Sequence, residues 1–153
     1  MDRSYVAEND AASQRLRGLV ARLTDDELGR PVGQHWSVSI ALAHLAFWDR
    51  LWLAKFEEWE RVRLVEMPRT DEDASAAIND GMLAWWRSIS PAHARHEVVA
   101  AAEAIDSYAA RLSEPIVSAI LAVRPRTLIR AVHRGEHLDD IERALGRESL
   151  QAL

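Results

Sequence analysis

Glycine and proline fall at joints in this chain, and three- and four-residue spacing of apolar side chains fills nearly everything between them. Apolar residues at i, i+3, i+4 and i+7 line one face of an α-helix; alternation over two residues, the mark of a half-buried strand, is nearly missing. The chain is therefore expected to be all-α. Four long segments carry the pattern, which predicts an up-and-down four-helix bundle with short extra helical segments in the middle connections. At 153 residues the chain suits one domain over residues 1–153, large enough to bury a core without staples.

Start and stop signals place the segments. The first helix runs from about Arg3 to Leu23, burying Ala12, Leu16, Leu19, Val20 and Leu23. Thr24-Asp25-Asp26-Glu27 starts a short turn, and Gly29, Pro31 and Gly33 break the chain. Ser37 caps a second helix reaching about Val65, closed by Pro68, whose inner stripe includes Ile40, Ala41, His44, Leu45, Trp48, Leu51, Trp52, Phe56 and Trp59. A weaker stretch from Asp71 to about Arg87 is interrupted by Gly81. Ser90-Pro91 opens the third main helix, with Val98, Val99, Ala102, Ile105, Tyr108 and Leu112 inward. Ser113-Glu114-Pro115 starts a short segment through Ile120, and Pro125 precedes the last helix.

Composition removes several function classes. The absence of cysteine excludes a disulfide framework, a thiolate nucleophile and any cysteine-containing zinc site. With a net charge of -5 and no basic face, no nucleic-acid partner is expected. No stretch approaches the roughly 20 apolar residues of a membrane span, so no membrane partner is expected and the chain reads as soluble and cytoplasmic. Lys55 is the only lysine among many arginines and alanines, the bias of a GC-rich genome and a hint of bacterial origin.

The last helix carries the residues of most chemical interest. Ile129, Val132, His133, Glu136, His137, Asp140, Ile141 and Ala144 form one stripe, and Arg134, Asp139, Glu142 and Arg143 are expected to turn outward. His133 and His137 share a face at i and i+4, where Cβ atoms stand about 5–6 Å apart and two imidazoles can converge on one ion. Alone, such a pair also occurs as two hydrogen-bonded rings without metal. His44 lies on the apolar stripe of the second helix, where a lone histidine reads as a core residue bonded to a carbonyl. Three inward histidines on two helices can instead supply three neutral nitrogens to one ion and leave a position open, as in catalytic zinc sites. The ligand type equally admits nickel, iron or manganese. Asp140, Glu136 or backbone carbonyls could orient the rings.

Trp36-Ser37-Val38, then Leu42-Ala43-His44-Leu45-Ala46-Phe47-Trp48-Asp49, then His133-Arg134-Gly135-Glu136-His137-Leu138-Asp139-Asp140-Ile141-Glu142, resemble in order and separation the signature of the DinB superfamily of four-helix bundles. That signature has a Trp-Ser opening a helix, a His one to two turns inside it, and a His-x3-His pair on the last helix. The likeness spans most of the chain. It implies a divalent transition metal, zinc or nickel, at His44, His133 and His137, and a homodimer. It also implies a mixture of activities: low-molecular-weight-thiol transferases and isomerases, hydrolases, and members without known reaction. In a chain without cysteine the thiol would arrive as a cosubstrate. The segment from Asp71 to His96 matches no part of the pattern, so no specificity residue is carried over from it.

Other readings use the same residues. His133-x-x-Glu136-His137 fits the reversed zinc-protease motif with Glu136 as general base, but that class draws an acidic ligand from well downstream and only sixteen residues follow His137. Glu136 could move protons in another reaction, or form a helix-surface ion pair with Arg130 or Arg134. His93 and His96 are expected to be exposed, and Tyr108 to be core with its hydroxyl at the edge. Trp48, with Trp52, is placed as the wall of a small-molecule pocket between the helices, alongside residues of the middle segment. The residues therefore point to a metal-dependent enzyme acting on a small-molecule substrate by thiol transfer or hydrolysis. The alternative is a non-catalytic binding module or a dimeric interaction module with structural or absent metal.

Overall fold

The computed structural model of the protein describes residues 2–64, 66–67 and 72–147. The expected end of the second helix at Val65 and Pro68, and the start of the middle segment at Asp71, lie outside the described residues. In chain order come α1 (Ser4–Arg22), α2 (Asp25–Leu28), β1 (Pro31–Val32), β2 (Trp36–Ser37), α3 (Val38–Val62), α4 (Glu72–Ser88), α5 (Pro91–Ala109), α6 (Glu114–Val123), α7 (Pro125–Leu128) and α8 (Arg130–Ala144).

Local chemistry sets these boundaries. Thr24 and Glu27 form a reciprocal capping box on α2; Ser37 accepts from the Ile40 N–H on α3; Ser90 accepts from the His93 N–H on α5, with Pro91 at the first helical position. Each cap satisfies an amide that the helix itself leaves without a partner. The second helix is shorter than the sequence suggests, because Arg63 turns left-handed at φ 51°. The Leu64 N–H then reaches back to Trp59 O and the Arg63 N–H to Glu60 O, a Schellman closure that also packs Leu64 on the core. Conversely, α4 runs unbroken through Gly81: Met82 and Trp86 pack against the core, and their burial outweighs the roughly 0.5–1 kcal/mol cost of an interior glycine.

The short pairing of β1 with β2, Pro31 opposite Ser37 and Val32 opposite Trp36, has no forecast in the sequence. Gly33 turns its corner at φ +64°, a backbone conformation that other residues rarely adopt. Two-residue strands are too short to show alternation.

The bundle consists of α1, α3, α5 and α8, with α3 and α1 each packed against both α5 and α8. Arg50 pairs with Glu97 and the Ser113 N–H donates to Glu60, so α3 and α5 run in the same direction. Tyr5 bonds to Ala109 and Arg17 to Glu103, so α1 opposes α5. The Ala131 N–H bonds to Asn9 and Arg15 pairs with Asp139, so α1 and α8 run together. The all-α bundle expected from the sequence thus forms with its chain running up, down, down and up. Two parallel neighbours need a connection that returns the length of the bundle, and α4 is that return.

The apolar core divides into two clusters. One gathers Leu16, Leu19, Leu42, Leu45, Val98, Leu138 and Ile141; the other gathers Tyr5, Phe56, Trp59, Ile105, Ile116 and Leu128. Between them along the bundle lie the buried polar residues Asn9, Ser13, Asp49, Arg130 and Arg134. Among the described residues no helix is long and apolar enough to cross a membrane.

Candidate metal centre

His44 sits two turns into α3, and α8 crosses that helix in the opposite direction with His133 and His137 one turn apart. The three rings form a triangle with centroid separations of 5.1, 4.6 and 4.8 Å. His44 Nε2 lies 3.1 Å from His133 Nε2, and one nitrogen from each of the three rings falls within 4.8 Å of the others. Two ligand nitrogens on a tetrahedral zinc, each at about 2.0–2.1 Å, stand about 3.3 Å apart. The group could therefore hold a metal ion.

The electrostatics suit that task. Burial depresses the pKa of all three rings, that of His44 from 6.5 to about 3, with the nearby Arg130 charge and His137 adding to the effect. His133 is lowered by burial and then by Arg130; His137 is lowered by burial against the pull of Asp140 and Glu136. Neutral rings keep the lone pairs that a cation needs.

The hydrogen bonds also fix where the ring protons sit. Arg130 Nη2 lies 3.1 Å from His133 Nδ1, and a guanidinium can only donate, so His133 carries its proton on Nε2. That proton points at His44 Nε2, which places the His44 proton on Nδ1, an atom buried without a partner. The N···N contact is bridged by one proton; for a neutral His133 to bind a cation through Nε2 its proton must move to Nδ1, and the Arg130 hydrogen bond would then have to open.

Aromatic rings enclose the triad. Trp36, held in place by β2, lies 4.6 Å from the His44 ring and stacks on His137 at 5.6 Å; Trp86 meets His44 edge-on at 5.0 Å. A cleft of about 710 Å³ opens onto all three histidines. Trp48 and Trp52 of α3 form one wall, and Ser75 and Asn79 of α4 form another, joined by a 2.9 Å bond from Trp48 Nε1 to Asn79 Oδ1. Arg124, Thr127 and Arg130 complete the lining. A second hollow of about 480 Å³ meets the same Trp36 and His137 from the other side, with Asp140 in its wall.

The helix behind the histidines departs from the sequence expectation. Arg134 does not turn outward; it is 0% exposed. Its guanidinium donates to Asp49 Oδ2 at 3.1 Å and to both Asp106 oxygens at 2.7 and 2.9 Å, and also meets Ser13 Oγ at 3.0 Å. Arg130 binds the other Asp49 oxygen at 2.8 Å. Two arginines and two aspartates, drawn from α3, α5 and α8, cancel in charge, which is what lets Arg130, Arg134 and Asp49 be buried. The inward face of α8 is centred on Arg130, Arg134, Leu138 and Ile141, and the histidines stand at its edge. Val132, placed inward by the sequence, is 36% exposed for the same reason.

The remaining expected residues divide. Glu136 is exposed and paired with Arg126, because Arg130 and Arg134 are already engaged; it does not line the cleft. His93 and His96 are exposed. Tyr108 is half-buried in the far cluster, beneath Arg111. Trp36 contacts the triad directly, although from the sequence it reads only as the residue before a helix start. In the sequence Asp49 reads only as the end of a family motif and Arg130 as a surface partner for Glu136, whereas the two are buried and paired with each other.

The family model described as DinB superfamily matches residues 8–139. No curated protein and no solved structure matches the chain.

Proposed function

Since this chain belongs to the DinB superfamily, we propose that it is a metal-dependent enzyme acting on a small molecule, with His44, His133 and His137 holding a divalent transition ion, zinc or nickel first. The observation that supports this most is the triangle of neutral rings at the floor of a solvent-open cleft. A closed structural site would use four protein ligands, whereas three leave a position free. The bound ion would supply Lewis acidity, bringing the pKa of a water or a thiol towards neutrality.

The chain's own residues do the rest. Trp36 and Trp86 exclude water from the rings, and Trp48 with Asn79 shapes the wall against which a substrate lies. In the metal-free protein Arg130, anchored to Asp49, holds the His133 ring through Nδ1, a contact that metal binding at Nε2 would open. Glu136, turned outward on Arg126, is poorly placed to move a proton in the cleft. Transfer of a low-molecular-weight thiol and hydrolysis are the two reaction classes proposed, the thiol arriving as cosubstrate because the chain has no cysteine. A homodimer and a cytoplasmic, bacterial setting belong to the same proposal.

The test is a paired screen of zinc- and nickel-loaded protein with thiol-transfer acceptors and with ester or amide probes, before and after chelation. Turnover that chelation abolishes and metal restores is the expected result. A loaded protein inert in both screens would move the reading to a non-catalytic binding module.

A further inference from the structure

Three arginines line the cleft, Arg124, Arg126 and Arg130. Two of them already have carboxylate partners: Arg130 binds Asp49 at 2.8 Å, and Arg126 binds Glu136. Arg124 has none among the described residues. Its guanidinium lies over the Trp52 ring, 5.5 Å from the centroid, and its Nη2 is buried with no hydrogen-bond partner. Loss of water lowers its pKa, yet a guanidinium stays charged at any physiological pH.

Arg124 is half-buried, and its enclosed Nη2 lacks a partner among the described residues, a cost that a bound anion would offset. The guanidinium lies 5.5 Å from the Trp52 ring centre, and its planar fork of donors is of the kind that matches a carboxylate. With its two neighbours committed, the one cleft arginine without a carboxylate partner among the described residues matches one carboxylate and not a phosphate dianion.

We propose that Arg124 anchors the carboxylate of the small molecule that enters this cleft, with Trp48 and Trp52 flanking its body and its reacting group at the histidines. The proposal names the substrate class of the reaction proposed above and rests on that reading of the triad. Trp48 and Trp52 follow His44 by one and two turns of α3, so the wall from His44 to Trp52 extends about 12 Å along the helix. The ligand is therefore an elongated carboxylate.

The tryptophans of the wall report binding directly. The full chain as purified is titrated with 6-phenylhexanoate and with its uncharged amide, following the quench of tryptophan fluorescence. Saturable binding of the carboxylate, at least about tenfold tighter than the amide, is expected. Arg124→Gln should bring the two within about twofold while its circular-dichroism melt stays unchanged, and Arg124→Lys should keep part of the preference. No saturable quench by the carboxylate, equal affinities in the wild type, or a preference surviving in Arg124→Gln would each overturn the assignment. Metal content read on the same samples, with and without chelation, separates the two readings. A preference that disappears on chelation would place the carboxylate at the triad and not at Arg124; a preference retained in metal-free protein would leave Arg124 standing even if the triad failed.

Discussion

His133 and Arg134 are adjacent in sequence and opposite in physical state. Arg134 is fully committed: Asp49, Asp106 and Ser13, reached from three other helices, satisfy its donors. The histidines are less fully committed: His133 meets Arg130 and His44, but the rings are held neutral by burial and His44 Nδ1 has no partner among the described residues. One helix thus presents a saturated ionic edge that fixes its position and an unsaturated edge that can still accept a ligand. Rigidity and reactivity are separated by a single residue step, about 100° around the helix. Arg130 belongs to both edges, holding Asp49 with Nε and His133 with Nη2.

The strongest way to break this comparison is to remove the ionic edge. Arg134→Met leaves one oxygen of the buried Asp49 without its partner and releases the part-exposed Asp106, and an uncompensated buried charge costs about 3–5 kcal/mol. Urea denaturation should show that loss, with metal affinity falling alongside it because α8 loses its anchor. A variant as stable as wild type would mean that the network does not hold the helix.

Much of the rest was legible from the sequence, and the reason is locality. Ser37, Ser90 and the Thr24–Glu27 box act within a few residues, so their caps could be read from neighbours in the chain. The histidine pair was legible because i and i+4 share a face, and His44 because it stood out on an apolar stripe. Burial of Arg134 was not legible, since a charge on a helix reads as solvent-facing until its partners on α1, α3 and α5 are known. Arg124, without a carboxylate partner among the described residues, was hidden likewise, because that depends on what the fold brings around it.

The pH dependence sharpens the comparison from the histidine side. Each ring has a folded pKa below its ordinary 6.5, so on acidification the unfolded chain takes up protons that the folded one refuses. Metal-free protein is therefore fully stable with respect to these rings above pH 6.5 and loses stability as pH falls, for His44 down to about pH 3. The slope is about 1.4 kcal/mol per pH unit per ring. His44→Gln should lose less stability than wild type between pH 7 and pH 5 in matched denaturation curves; identical losses would show that His44 is not held neutral by the fold.

The smallest effect belongs to the outer surface of α8. Glu136→Gln removes an exposed ion pair with Arg126, so stability should change by no more than about 0.5 kcal/mol and metal content should stay as in wild type. Loss of metal or of a metal-dependent activity in this variant would bring Glu136 back into the site.

The central claim, that His44, His133 and His137 hold one metal ion, is tested most directly by elemental mass spectrometry of untagged wild type beside His44→Ala and His137→Ala. About one equivalent of transition metal in wild type and little in either variant, with both variants still folded, is the predicted result. Wild type that takes up no metal even after incubation with zinc and nickel, or variants that retain it, would contradict the account.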